Sequence, residues 1–559
     1  MQRVHLTVCA LGAALLQCQP AHAATPVPPD AGQTLRELQP PPAPEAPREI
    51  PPLTIEEGRE IGPATDIRFM IQSVQITGNS KISTPVLSAL VADVVGGEHS
   101  LTELRDAIAR VTAYYRQRGY PVARAYLPAQ EIRDGSVTIG IIEGRLDKRV
   151  IDNHSRLSDA RVGTVVGHIK EGEVIESAEV DRSLLLLNET PGVGGSRATL
   201  QPGASVGTSD LVIAVNPADP FSGDVEADNY GNRYTGQYRL GGTLNMNSPL
   251  RIGDQITLNA LSSGADLRYG RLAYQLPVGG DGLRAGAAYF DTSYRLGKDF
   301  SPLEAHGTGT GPSAFVVYPF VLTQKSNLTG TASLEEKHLT DYADATATIT
   351  EKHVYLADLG LSGARRDTLG GGGFSSVNLS LALGDVDINT PIARLIDEFT
   401  ARSNGRYRRL SYGASRWQRL TSSTSISVAL SGQRSNRNLD TSEKLSLGGA
   451  DSVRAYPQGE AIGDEGYLVN LELQQRITPA LQGILFYDTG SVTTNHNPFD
   501  PSLPTSRRLA GAGAGANVHL FGFQAKATVA WRTHGGEPIS IPPSAVHSPT
   551  VWVQIRRPF

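Results

Sequence analysis

The sequence predicts two small α+β repeats followed by a transmembrane antiparallel β-barrel of about sixteen strands. Three observations carry this. From about Phe221 to Phe559 the chain breaks into segments of roughly ten residues in which apolar and polar residues alternate. Between residues 67 and 219 an order of strand, helix, helix, strand, strand occurs twice. Past residue 24 there is no run of about eighteen apolar residues, so the chain either leaves the membrane or crosses it with strands.

Residues 1–23 read as a secretory signal peptide. Arg3 supplies a positive start, residues 6–16 a short apolar stretch, and Ala21-His22-Ala23 a small-residue cleavage site. A lipoprotein signal would use Cys18, but the bulky Gln17 before it argues against that. Cys9 and Cys18 are the two cysteines, so cleavage leaves neither disulfides nor thiolate metal sites. The net charge of −5 argues against a nucleic-acid partner.

Residues 24–66 hold a short helix over 30–38, with Asp30 as its N-cap, and then a proline-rich spacer. Proline biases that spacer to an extended, semi-rigid conformation. Residues 67–147 form the first repeat. A strand over 69–76 leads to a helix over 85–92, with Thr84 as N-cap and Pro85 at the first helical position. A second helix starts at the capping box Ser100-x-x-Glu103 and carries Leu104, Ile108, Val111 and Tyr115 on one face. Gly119 is its stop signal. Two strands, 122–132 and 136–142, meet at the hairpin pair Asp134-Gly135. Residues 148–219 repeat this order more faintly. They show a strand near Val150-Ile151, a helix from Ser158, a helix over 177–187 capped by Ser177, and closing strands 197–200 and 210–215.

The barrel occupies 220–559, with almost no helix signal. Val377, Leu379, Leu381 and Leu383 form one apolar face; Tyr467, Val469, Leu471 and Leu473 face away from Asn470, Glu472 and Gln474. Phe521, Phe523, Ala525, Ala527, Val529 and Trp531 make another such set. A persistent apolar face opposite a charged one fits lipid outside and a wet lumen. The chain ends on an alternating strand closed by Phe559.

Two motifs stand out in this half. Val453-Arg454-Ala455-Tyr456 lies in a long glycine-rich loop near 445–466. Phe486-x-Asp488-x-Gly490 lies on a strand. The lipid side of a strand holds a carboxylate poorly, so Asp488 should face the lumen.

This arrangement resembles the outer-membrane transporters of two-partner secretion, the TpsB type, which includes the haemolysin and filamentous-haemagglutinin secretion proteins. The repeats look like POTRA domains. Leu35-Arg36-Glu37-Leu38 looks like the family's plug helix, and Asn229-Tyr230-Gly231 like its first-strand signature. The family's sixth-loop motif, Val-Arg-Gly-Tyr, is matched except for Ala455 in place of glycine; if that position needs φ > 0, alanine is strained there. The resemblance implies a loop-to-wall ion pair between Arg454 and Asp488. It also implies a pore without cofactor, metal or catalytic residues. Its partners would be outer-membrane lipid and a secreted exoprotein of the TpsA type: an adhesin, a haemolysin or a contact toxin. The POTRA domains would capture that client unfolded, by pairing it with an exposed strand edge.

Competing readings are weaker. Gly203-Ala204-Ser205-Val206-Gly207 matches a hydrolase pattern but sits between two strands, not before a helix. The glycine runs 307–311 and 511–515 open no helix, and nothing here points to a nucleotide. The twelve histidines are scattered, so no metal site is expected. A barrel-assembly factor of the BamA type shares the POTRA domains and the arginine loop; two repeats and a plug-like N-terminus favour secretion. A nutrient channel would not need the repeats.

Overall fold

The computed structural model describes residues 27–38, 47, 50–55, 67–264, 266–501 and 504–559. The predicted signal peptide and most of the proline-rich spacer lie outside the described residues. The N-terminal helix α1 (Ala31–Glu37) begins as expected, with Asp30 accepting a hydrogen bond from the Gln33 amide at 2.8 Å.

In the first α+β unit the expected single strand over 69–76 is two, Arg68–Ile71 and Ser73–Thr77. The first pairs with Gly97–Ser100, a strand too short and polar for alternation to mark. The second runs parallel to Ser136–Ile142, whose other neighbour is the short strand Arg124–Tyr126. Helix α2 (Thr84–Leu90) starts one residue earlier than predicted, with Ser83 at the cap. Ser83 makes no side-chain cap bond: Pro85 has no amide, and the Val86 amide donates to Ser83 O at 3.1 Å, while the Thr84 hydroxyl accepts from Asn79 at 3.1 Å. Helix α3 (Leu101–Gln117) has the predicted capping box, and Leu104, Ile108, Val111 and Tyr115 are its buried face. Asp134 and Gly135 both take positive φ, as the two-residue hairpin turn requires.

The second unit has α4 (Asp159–Val165), capped by Ser158, and α5 (Ser177–Asn188). Ser177 is not the cap of α5; Glu176 holds that place, and the Ser177 amide donates to Gly119 O at 2.9 Å, tying the two units together. The first strand, Arg145–Asn153, starts before the expected boundary at 148. It joins Thr208–Pro217 and Val193–Pro202 in one sheet. The far edge of that sheet is filled by Thr54–Ile55 from the spacer, pairing with Thr199 and Leu200. Residues 203–207 are the turn between two of these strands. The unit abuts the barrel's short turns, with Arg182 donating to Pro319 O at 3.1 Å and Ser158 N to Arg251 O at 2.8 Å.

Sixteen antiparallel strands close the barrel, from Phe221–Asp228 to Thr550–Pro558. Leu379, Leu381, Leu383, Leu485 and Tyr487 point outward and are exposed, while Ala382, Val386, Phe486 and Asp488 point inward and are buried. Phe521 is a turn residue with positive φ and belongs to no face; its strand begins at Phe523. At the closing seam Asp224 to Asp228 pair with the last strand, and Phe559 exchanges two backbone hydrogen bonds with Gly223. Asn229 lengthens the seam by imitating a backbone unit: its side chain donates to Val551 O at 2.9 Å and accepts from Val553 N at 2.8 Å.

Two findings depart from the sequence reading. A helix, α6 (Pro391–Phe399), stands in the fifth outer connection; at nine residues it is too short for periodicity to reveal. The lumen is also not polar throughout. Phe290, Tyr294, Leu339, Val354, Val386 and Tyr407 line one side and bury Ala31 and Leu35 of α1. No described helix is long and apolar enough to cross a membrane.

Candidate loop-to-wall site in the barrel lumen

The sixth outer connection, residues 436–464, leaves after strand Thr424–Ser435 and returns at Glu465–Arg476, so it starts earlier than the predicted 445. It folds into the lumen around a small hairpin, Leu445–Leu447 with Ala461–Gly463. Gly448 and Gly449 turn the chain there with φ of 96° and 102°.

This fold brings all seven predicted site residues together. The Arg454 guanidinium forks onto Asp488, Nε to Oδ2 at 2.8 Å and Nη2 to Oδ1 at 2.7 Å. The Arg454 amide also donates to Asp488 Oδ2, at 3.1 Å. Asp488 is fully buried and Arg454 is 3 % exposed. The guanidinium carbon lies 3.5 Å from the centre of the Phe486 ring. The wall motif thus supplies an aromatic face and a carboxylate to one cation. Gly490 supplies space: a Cβ there would lie 3.0 Å from Leu447 Cδ1 of the loop hairpin. Val453 is buried in the same apolar cluster as Leu447 and Phe486.

Ala455 is not strained, since its φ is not positive. Its methyl group lies over Gly511, where an added Cβ would collide with it. The 511–515 run is therefore part of a strand in which Gly511 makes room for the loop and Gly513 for the Phe486 ring. Gly511→Val should expel Val453-Arg454-Ala455-Tyr456 from its seat. We expect new protease cleavage within 445–460 in a barrel that still forms, read by limited proteolysis in detergent. Tyr456 is fully buried and donates its hydroxyl toward His534 O at 2.8 Å and Gly536 O at 2.9 Å. The last strand clasps the motif as well: Trp552 Nε1 donates to Arg454 O at 2.7 Å and Thr550 Oγ1 to Ala455 O at 3.0 Å. Trp552 meets Tyr230 edge-on, so the first-strand signature touches this site at the seam.

Sequence reasoning missed part of the site. Glu472 accepts from Arg454 Nη1 at 2.6 Å, and Asn470 donates to Asp488 Oδ1 at 2.7 Å. The signal was present, since both lie on the polar face opposite Leu471. It missed a second network entirely. On the other side of the loop, Glu443 binds Lys337 at 2.7 Å and Arg409 at 2.9 Å. Burial alone would raise the Glu443 carboxyl, yet these cations hold it down at about 2. Lys352 binds Asp440 at 2.8 Å and Asp30 of α1 at 3.1 Å. Thr441 Oγ1 donates to Asp30 at 2.6 Å, and Gly32 lets the helix approach the loop so closely that a Cβ would lie 2.8 Å from Ser442 N. Loop and helix are thus fastened to each other and to the wall.

A closed barrel with α+β units at its N-terminal end, and with a helix and a loop packed inside it, has the architecture of an outer-membrane pore. The chain belongs to the family described as haemolysin secretion/activation protein ShlB/FhaC/HecB, which matches residues 207–518. A POTRA domain of the ShlB type matches residues 69–144. The chain is 29 % identical over 460 residues to the heme/hemopexin transporter protein HuxB of Haemophilus influenzae strain 86-028NP, covering 80 % of this chain and 81 % of the relative. It is 25 % identical over 495 residues to the outer membrane transporter CdiB of Dickeya dadantii strain 3937, covering 85 % and 83 %. The solved structure of CdiB from Escherichia coli shares the fold with a TM-score of 0.70 at 22 % identity, covering 95 % and 96 %. The protein is therefore a two-partner secretion transporter, with its barrel in the outer membrane and its POTRA region in the periplasm. This is a transport family and not an enzyme class, and the assembly-factor alternative gives way to it.

Proposed function

We propose that the lumen is the conduit for an unfolded TpsA-type exoprotein and that α1 and the sixth loop are its two gates. The carrying observation is that both segments fill the lumen and are held there by ion pairs, with Lys352 serving both through Asp30 and Asp440. Asp30 with Lys352 fastens the helix, and Arg454 with Asp488 fastens the loop. The second α+β unit is read as a second POTRA domain. One edge of its sheet is already taken by Thr54–Ile55, so client pairing by β-augmentation falls to its other edge strand, Arg145–Asn153, or to Ser73–Thr77 at the edge of the first unit. The outward Leu, Val and Tyr side chains meet outer-membrane lipid. Folding of the client outside makes its return unfavourable and supplies the direction. The test is export of a co-expressed candidate exoprotein into the medium with and without this protein. Export that needs the protein supports the reading. Unchanged export, with a fall in other outer-membrane barrels on depletion, overturns it in favour of barrel assembly.

The helix gate carries a pH dependence. Burial pushes the Glu37 carboxyl up to about 7, against hydrogen bonds from Gln33 and Asn232. In an undocked, hydrated helix it returns to its ordinary value of 4.5. Below that value both states hold the proton and docking is unaffected. Between it and about 7 the undocked state loses its proton first, so docking weakens as pH rises; above about 7 the loss is constant. In planar bilayers the open fraction should rise between about pH 4.5 and 7, and Glu37→Gln should flatten that rise.

A further inference from the structure

Two histidines far apart in the sequence stand side by side on the outside of the barrel. His338 lies in the seventh barrel strand, Ser326–Ala343, and His353 in the eighth, Thr348–Asp367. They are direct cross-strand partners, with ring centroids 4.1 Å apart. Glu336 precedes His338 by two positions and so shares its face. Its Oε1 is 2.8 Å from His338 Nε2 and 4.0 Å from His353 Nδ1. One donor atom from each residue can be chosen so that all three lie within 4.8 Å of one another.

The alternation fixes where this cluster points. Lys337, Leu339, Lys352 and Val354 are the buried, inward neighbours. Leu334 and Tyr355, on the same outward face as the cluster, are exposed. The cluster therefore faces away from the lumen and shares no residue with the gate network. These strands have 18 and 20 residues, about twice the nine to eleven that cross a bilayer, so part of each projects beyond it. The cluster lies on the outer-end side of Leu334, and on the next strand His353 stands opposite Asp387 and Tyr355 opposite Asp385.

We propose that Glu336, His338 and His353 form a binding site for a divalent transition-metal ion of the zinc type on the outer wall of the barrel. Two imidazole nitrogens and one carboxylate oxygen are the donor set such an ion takes, with a fourth position left to water. Magnesium and calcium prefer oxygen donors and are disfavoured here. In a tetrahedral site neighbouring donors are about 3.3 Å apart, so the cluster closes onto an ion by side-chain rotation alone. His338, His353 and Glu336 are each partly exposed, which leaves them free to rotate and gives the ion a path in. A bound ion would clip the tall hairpin of the seventh and eighth strands across its width.

The test is a titration of the full chain in detergent micelles, with affinity tags removed and metals stripped, against zinc chloride by calorimetry. One saturable ion per chain is expected. His338→Ala and His353→Ala should each weaken it at least tenfold, while His306→Ala, at another partly exposed histidine, leaves it unchanged. Cobalt in place of zinc should give the visible absorption of a nitrogen- and oxygen-ligated ion. Absence of a saturable site, or a site that survives in the His338→Ala/His353→Ala double variant, overturns the proposal. If the variants fail to form barrels, protection of His338 and His353 from carbethoxylation by zinc in the unmodified protein reads the same site. Equal modification with and without zinc then overturns it.

Discussion

Arg454→Ala is expected to lower export of the cognate exoprotein by about tenfold or more, with the folded barrel at its normal level in the membrane. Three interactions end together: the fork onto Asp488, the bond to Glu472 and the stack on Phe486. Asp488 is then left as a buried carboxylate without its cation, a cost of about 3–5 kcal/mol when one partner of a buried pair is removed. That is enough to loosen the motif from its seat, where the remaining ties are Tyr456 and the last-strand residues Thr550 and Trp552, while Asp440 and Glu443 still hold the start of the loop to the wall. The barrel itself should persist, since its wall is held by strand pairing that does not involve Arg454. Arg454→Lys should recover little, because an ammonium cannot make two parallel bonds to one carboxylate. The measurement pairs exoprotein in the medium with heat-modifiable mobility of the barrel. Full export by Arg454→Ala would sink the loop's proposed role.

Removal of residues 27–38 is expected to raise the conductance of the purified pore several-fold in planar bilayers. A helix with its side chains is about 10 Å across, which fills much of a sixteen-stranded lumen. Here it is seated on an apolar wall through Ala31 and Leu35 and tied by Asp30, with the Ala31 amide also donating to Asp341 at 2.7 Å. Loss of the helix leaves Lys352 paired with Asp440, so the loop network survives and the rise reports the helix alone. An unchanged conductance would mean that the sixth loop closes the pore without it.

The motif residues were legible for local reasons. In a strand, positions i and i+2 share a face, so alternation alone assigns Asp488 to the lumen with Phe486 and Gly490. The same rule points at Glu472 and Asn470, but not at which loop cation they meet. Ala455 shows the opposite case. Its fit depends on Gly511, a glycine two strands' worth of chain away, and no local pattern records that contact.

By itself the sequence determined the barrel, its approximate strand number, the two α+β repeats and the inward face of the wall motif. Each follows from periodicity or turn chemistry within a short stretch of chain. Only the tertiary structure decided the rest. Lys337, Lys352 and Arg409 became the anchors of Glu443, Asp440 and Asp30 because barrel closure brings distant strands around one loop. Thr54–Ile55 became a sheet edge, and His338 met His353, through register alone. Alternation says which side of a strand a residue faces; strand register and closure of the barrel determine what stands opposite it.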